Sequence, residues 1–119
     1  MGTKQLIGAL GEDFVAKYLE RRNYEILDRN WRIKEGEIDL VAITEFGVVV
    51  FVEVKTRTSV AFGHPLEAIT KEKAYRLQRL ALAWLTINHK WGFEYRIDAA
   101  AVLISKGEKI EIDYRIAVL

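Results

Sequence analysis

Cysteine is absent from this 119-residue chain, proline occurs once, at Pro65, and histidine twice, at His64 and His89. Without cysteine there is no disulfide framework, no thiolate zinc site and no thiol nucleophile. Two histidines far apart in sequence make a structural zinc site a poor expectation. No repeat, low-complexity tract or proline-rich spacer divides the chain. No apolar run nears the ~18 residues a membrane helix needs. Residues 1–5 open a charged amphipathic segment rather than a secretory signal. An excess of one charge is missing too, with 18 Lys and Arg against 17 Asp and Glu. That excludes a histone-like polycation but leaves room for a local basic patch. The only serines, Ser59 and Ser105, sit in no recognisable triad, and neither GxxxxGK nor GxGxxG occurs.

What is present suffices for a core: 50% of residues are hydrophobic and 29% charged. The expectation is one domain over 1–119, soluble and cytoplasmic, with no membrane partner. Thr3 to about Arg22 has helical spacing, with Ile7, Leu10, Phe14 and Tyr18 recurring and Asn23 ending the run. Tyr24 to Asp28 alternates as a short strand, and Asp28-Arg29-Asn30 marks a turn. Trp31 to Ile33 and Glu37 to Ile43 read as strand around a break at Lys34-Glu35-Gly36. Glu45-Phe46-Gly47 then joins Glu37–Ile43 to Val48–Lys55 in an antiparallel hairpin. Thr56 to His64 reads as loop. A second helix begins near Pro65 or Thr70 and ends at Asn88, burying Ala74, Leu77, Leu80, Ala81, Trp84 and Leu85. Glu94 to Ile104 and Lys109 to Ile116 are strands joined by a turn at 105–108, the last with one wet face. The order α-β-β-β-α-β-β predicts an α/β fold, a mixed sheet flanked by helices. The segment carrying the second helix is long enough to make its flanking strands parallel.

Some charged residues do not fit this pattern. Val48 to Val54 is apolar on both faces, as in a covered central strand, yet Glu53 and Lys55 continue the face of Val49 and Phe51. A carboxylate entering a covered layer is costly without a cation or donors. On the preceding strand Asp39 shares a face with Val41 and Ile43, and Glu37 stands two residues earlier. If the hairpin turns at 45–47, Asp39 and Glu53 lie comparably far from the turn and can converge. Two carboxylates and a lysine suit Mg²⁺, which takes one or two carboxylates and completes its shell with water and phosphate. The ordinary alternative is an ion pair of Lys55 with Asp39 or Glu53. Glu12 adds a third acid on the first helix, among Gly8, Val15, Ala16 and Leu19, either as ligand or as a partly buried bridge.

Ile38-Asp39 followed by Glu53-x-Lys55 resembles the PD-(D/E)XK nuclease motif, with Ile38 where that motif commonly carries proline. Gly11-Glu12, Ala16, Tyr18-Leu19, Arg29-Asn30, Gly36 to Leu40, Phe51 to Arg57, Gly63, Pro65, Lys73 and Arg96-Ile97-Asp98 together resemble the YraN-like family of small bacterial proteins. The resemblance implies a restriction-endonuclease-like core similar to archaeal Holliday junction resolvases. It implies Asp39 and Glu53 as metal ligands, Lys55 as the catalytic lysine and Glu12 as a helix-borne acid, with Mg²⁺ or Mn²⁺ as cofactor. Glu37 and Asp98 are auxiliary or structural carboxylates.

From Lys55 to Arg79 six basic residues face two acids, while the rest of the chain is net negative. This is the footprint of phosphate contacts. Arg57 and Lys73 lead the candidates, followed by Arg76 and then Arg79. Glu72–Arg76 can instead form an ordinary helix-surface pair. Among the tryptophans Trp84 belongs to the core, and Trp31 is the one kept open for base stacking. The leading expectation is a metal-dependent endonuclease acting on DNA, in branched or structured form, with a homodimer suggested by analogy with resolvases. The alternatives are a noncatalytic nuclease-like module that binds nucleic acid or protein, and an assembly protein pairing through the exposed edge of Lys109–Ile116.

Overall fold

Helix formation at the amino end follows from good helix formers over Thr3–Glu20 (α1), and Asn23, at φ 66°, turns the chain out of it. Glu25–Ile33 (β1), Gly36–Ile43 (β2) and Val49–Arg57 (β3) follow, then Lys71–Ile87 (α2), Tyr95–Ile104 (β4) and Ile110–Arg115 (β5). The structure is a computed structural model and describes residues 2–58, 70–105 and 109–119. Ser59, Gly63, His64, Pro65, most of the expected 56–64 loop and the body of the 105–108 turn lie outside the described residues.

The five strands form one mixed sheet in sequential order, antiparallel except for β3 and β4. This is the expected α-β-β-β-α-β-β arrangement, with β3 in the middle and α2 inside the parallel crossover. Thr70 caps α2 by accepting the Lys73 amide. One helix covers each face. Val15, Ala16 and Leu19 of α1 pack on Leu40, Ala42, Val50, Val52, Val54, Ala100 and Val102. Leu77, Leu80, Ala81, Trp84 and Leu85 of α2 pack on Ile38, Val41, Val49, Phe51 and Ile97. Ile110, Ile112 and Tyr114 of the edge strand β5 join the α1-side core, as its alternation predicts.

Two expectations are corrected. The buried ridge of α1 is Gly11, Val15, Ala16 and Leu19 rather than Ile7, Leu10, Phe14 and Tyr18, and Leu10 is 43% exposed. Small residues decide this. A Cβ on Gly11 would lie 1.9 Å from Thr56 Oγ1 on β3, so the glycine lets the helix sit against the strand. The second correction concerns Asp28-Arg29-Asn30, which is not a turn. It lies inside one continuous β1 with a bulge between Ile26 and Asp28. Asp28 there accepts the Trp84 indole N–H at 3.1 Å, which gives a turn-type residue a reason to sit in a strand.

Candidate active site

Asp39 occupies the point where pairing between β2 and β3 stops. The register runs from Ile43↔Val49 to Leu40↔Val52, and one further step would set Asp39 opposite Glu53. The Asp39 carboxylate instead accepts the Val54 backbone N–H through Oδ2 at 2.7 Å. Side-chain alternation also breaks here. Ile38 packs in the α2-side core and Leu40 in the α1-side core, although residues two apart in a strand should share a face. The register places Asn30 opposite Asp39, and Asn30 adopts φ 50°, a conformation that asparagine tolerates. Asp39 therefore does not simply continue the face of Val41 and Ile43, because the β1–β2 pair is distorted at its position.

Glu53 follows the expected alternation. Val52 and Val54 point into the α1-side core, while Glu53 takes its partners toward α2. Its side chain is 13% exposed, with Lys73 Nζ at 3.0 Å and Lys55 Nζ at 3.7 Å. Lys73, a leading candidate for a phosphate contact, here pairs with the Glu53 carboxylate.

The charges respond to one another. Burial, and then the nearby Glu53 carboxylate, push Asp39 up to about 7 against the opposing Val54 hydrogen bond. Glu12 and Glu37 add to that rise. Burial raises Glu12 as well, opposed by a hydrogen bond from Asn30. Burial and the Lys73 ammonium lower Lys55, opposed by Glu53. The crowded carboxylates are held at a cost that a divalent cation would relieve.

Glu12 is near enough to Asp39 for its charge to raise that carboxyl. It lines a cleft of about 540 Å³ on the α1 side with Lys4, Lys55 and Arg57. Among the described residues no group of three or more His, Asp or Glu is arranged to hold a metal ion. Asp39 and Glu53 are the carboxylates that could hold Mg²⁺ or Mn²⁺, an ion that needs only one or two from the protein, with Glu12 the third acid near Asp39. Glu37 borders the site with its charge paired to Arg32 at 2.9 Å. A second cleft of about 300 Å³ runs past Glu37, Glu53, Lys55, Lys73 and Arg76.

Asp98 belongs elsewhere. It is fully buried and accepts hydrogen bonds from Arg96 Nε (3.0 Å), the Tyr114 hydroxyl (2.6 Å) and the Ala117 amide (2.9 Å). Burial and that Asp98 hydrogen bond raise the Tyr114 hydroxyl far above its ordinary value. Asp98 is a structural carboxylate that ties the chain end to β4. Arg57 is exposed and donates only to the Thr56 carbonyl among the described residues, at 3.3 Å. Arg76 is exposed on the cleft wall, and the Glu72–Arg76 pair that their spacing allows is not formed. Arg79 stacks over Tyr75. Trp31 is half-buried against the α2-side core, so the tryptophan open to solvent is Trp91, at 65% exposure. Sequence reasoning passed over Asn30 as a determinant of the site and Lys4 as a cleft cation. An asparagine between two strand-forming stretches was the available signal for the first; for the second there was none.

A mixed sheet covered by one helix on each face, with two carboxylates and two lysines where its central strand emerges, defines an α/β fold. Residues 11–102 match the profile of Uncharacterised protein family UPF0102, and the chain belongs to that family. This meets the expectation of a YraN-like chain. UPF0102 proteins of Beutenbergia cavernae and Renibacterium salmoninarum are 46% and 48% identical to it over 114 and 115 residues, with 96% of each chain covered. That of Trichlorobacter lovleyi is 42% identical over 110 residues, covering 92% of this chain and 87% of the relative. A solved structure of Pyrococcus furiosus SfsA in complex with Ca²⁺ aligns over 96% of this chain at 15% identity and a TM-score of 0.48. This chain spans 64% of the length of that one. Among the described residues no helix is long and apolar enough to cross a membrane.

Proposed function

We propose that this chain is a divalent-metal-dependent phosphodiesterase acting on DNA, with branched or structured DNA as the expected form. The observation that carries the reading is the approach of Asp39 to Glu53 beside Lys55, next to open clefts, with the Asp39 carboxyl held near neutrality. Structural ion pairs seldom leave a carboxylate so raised, because the partner cation lowers it. Here the two lysines pair with Glu53, while among the described residues the one hydrogen-bond donor to Asp39 is the Val54 backbone amide.

Asp39 and Glu53 would hold Mg²⁺ or Mn²⁺, which when bound supplies Lewis-acid activation of the phosphoryl group and of water. Lys55 orients the attacking water and offsets the charge that grows on the phosphate. Lys73 holds Glu53 in place, and Glu12 adds negative potential that favours a cation at Asp39. Hydrolysis forms a bond from the water oxygen to phosphorus and breaks the bond to one sugar oxygen. One proton leaves the water and one is taken up by the departing oxygen.

The test is cleavage of labelled duplex, single-stranded and branched DNA with Mg²⁺, Mn²⁺ or chelator. Wild type should cut only with metal, and Asp39→Asn and Glu53→Gln should lose about 10²-fold or more in rate while keeping the wild-type circular dichroism spectrum. Cleavage in chelator, or full activity in either variant, overturns the proposal.

A further inference from the structure

The two clefts beside the carboxylates share one wall residue, Lys55, and flank the emerging end of β3, one toward each helix. Arg76 stands in the α2 arm, and Arg57 and Lys4 in the α1 arm. Among the described residues none of these three makes an ion pair. Elsewhere Arg29 pairs with Asp13, Arg32 with Glu37 and Arg115 with Asp113, while Lys17, Arg21, Lys34 and Lys90 also make no ion pair among the described residues. What sets Lys4, Arg57 and Arg76 apart is their place on the cleft walls. The α1 arm also carries the hydroxyls of Thr3 and Thr58, donors suited to phosphate oxygens. Cations spread over two clefts, rather than converging on one point, match a polymer of phosphates better than a single phosphate group.

We infer that the two clefts serve as one trough for a DNA strand that crosses at Lys55, with Arg76 holding phosphates on one side and Arg57 and Lys4 on the other. The crossing phosphate rests on the function proposed above; the Lys4 contact is a statement about binding and is read without catalysis.

The experiment is anisotropy of labelled single-stranded and duplex oligonucleotides in chelator, over a salt series, with wild type, Lys4→Ala, Lys4→Arg and Lys17→Ala. Lys17 is exposed on the same helix but lines neither cleft, so its loss removes the same charge outside the trough. Lys4→Ala should weaken binding about threefold to tenfold and lower the salt slope by about one. Lys4→Arg and Lys17→Ala should bind as wild type. Equal losses in Lys4→Ala and Lys17→Ala, wild-type binding by Lys4→Ala, or no DNA binding by the wild type each overturn the inference. Binding through Lys4 in a protein that cleaves with no metal supports the trough while refuting the catalytic proposal.

Discussion

Replacing Asp39 by asparagine should make the metal-free protein more stable in mild alkali. The carboxyl rises from 3.8 to about 7 in the folded chain, chiefly through burial and Glu53. Below about pH 4 it is neutral in folded and unfolded chains alike, and stability is then greatest. As pH rises the unfolded chain ionises freely while the folded one resists, so stability falls until about pH 7 and is level beyond it. Roughly three pKa units at 1.36 kcal/mol each give a loss of about 4 kcal/mol by pH 8, and under about 2 kcal/mol at pH 5. Asparagine removes the charge, and its amide oxygen can still accept the Val54 N–H. Denaturant unfolding of both proteins in chelator at pH 5 and pH 8 should show Asp39→Asn ahead by up to about 4 kcal/mol at pH 8, the gap shrinking at pH 5. A variant less stable than wild type at pH 8, or a gap independent of pH, would refute the reasoning.

Other outcomes follow from the same contacts. Lys73→Met removes the 3.0 Å partner of a mostly buried Glu53 and should cost about 1–3 kcal/mol, part of it regained with millimolar Mg²⁺ in a thermal melt. Gly11→Ala places a Cβ against the β-branched Thr56; the forced shift should cost about 1–3 kcal/mol despite the better helix propensity, read as a lower Tm. The buried Thr56 hydroxyl has no hydrogen-bond partner among the described residues, so Thr56→Val should melt at or above the wild-type temperature. At Asn30, with φ 50°, glycine should fold nearly as well as asparagine, whereas valine should lose about 1–3 kcal/mol. Both should slow cleavage, because both remove the hydrogen bond to Glu12.

Much of this architecture was legible in the chain because apolar patterning is strong where burial is two-sided. The run Val48–Val54 announced a central strand, the spacing from Leu77 to Leu85 announced α2, and a carboxylate and lysine at the end of a covered strand announced the site. What escaped depends on contacts between distant segments. The α1 ridge was misread because Gly11 and Ala16 matter for how closely they let a helix approach, which hydrophobic spacing does not register. The expected turn at 28–30 dissolved into β1 because Asp28 finds the Trp84 indole, 56 residues away. The pairing of Lys73 with Glu53 depends on how α2 packs on β3, which helical spacing does not give. The reach of Asp39 to the Val54 amide depends on where the β2–β3 ladder ends, and strand alternation alone does not locate that point.

The central claim is that Asp39 and Glu53 form one divalent-cation site. Crystals soaked in Mn²⁺ and measured at a wavelength where manganese scatters anomalously test it directly. The account predicts an anomalous peak between the two carboxylates, abolished in Asp39→Asn crystals. No peak there under saturating Mn²⁺, or a peak that survives the substitution, would contradict it.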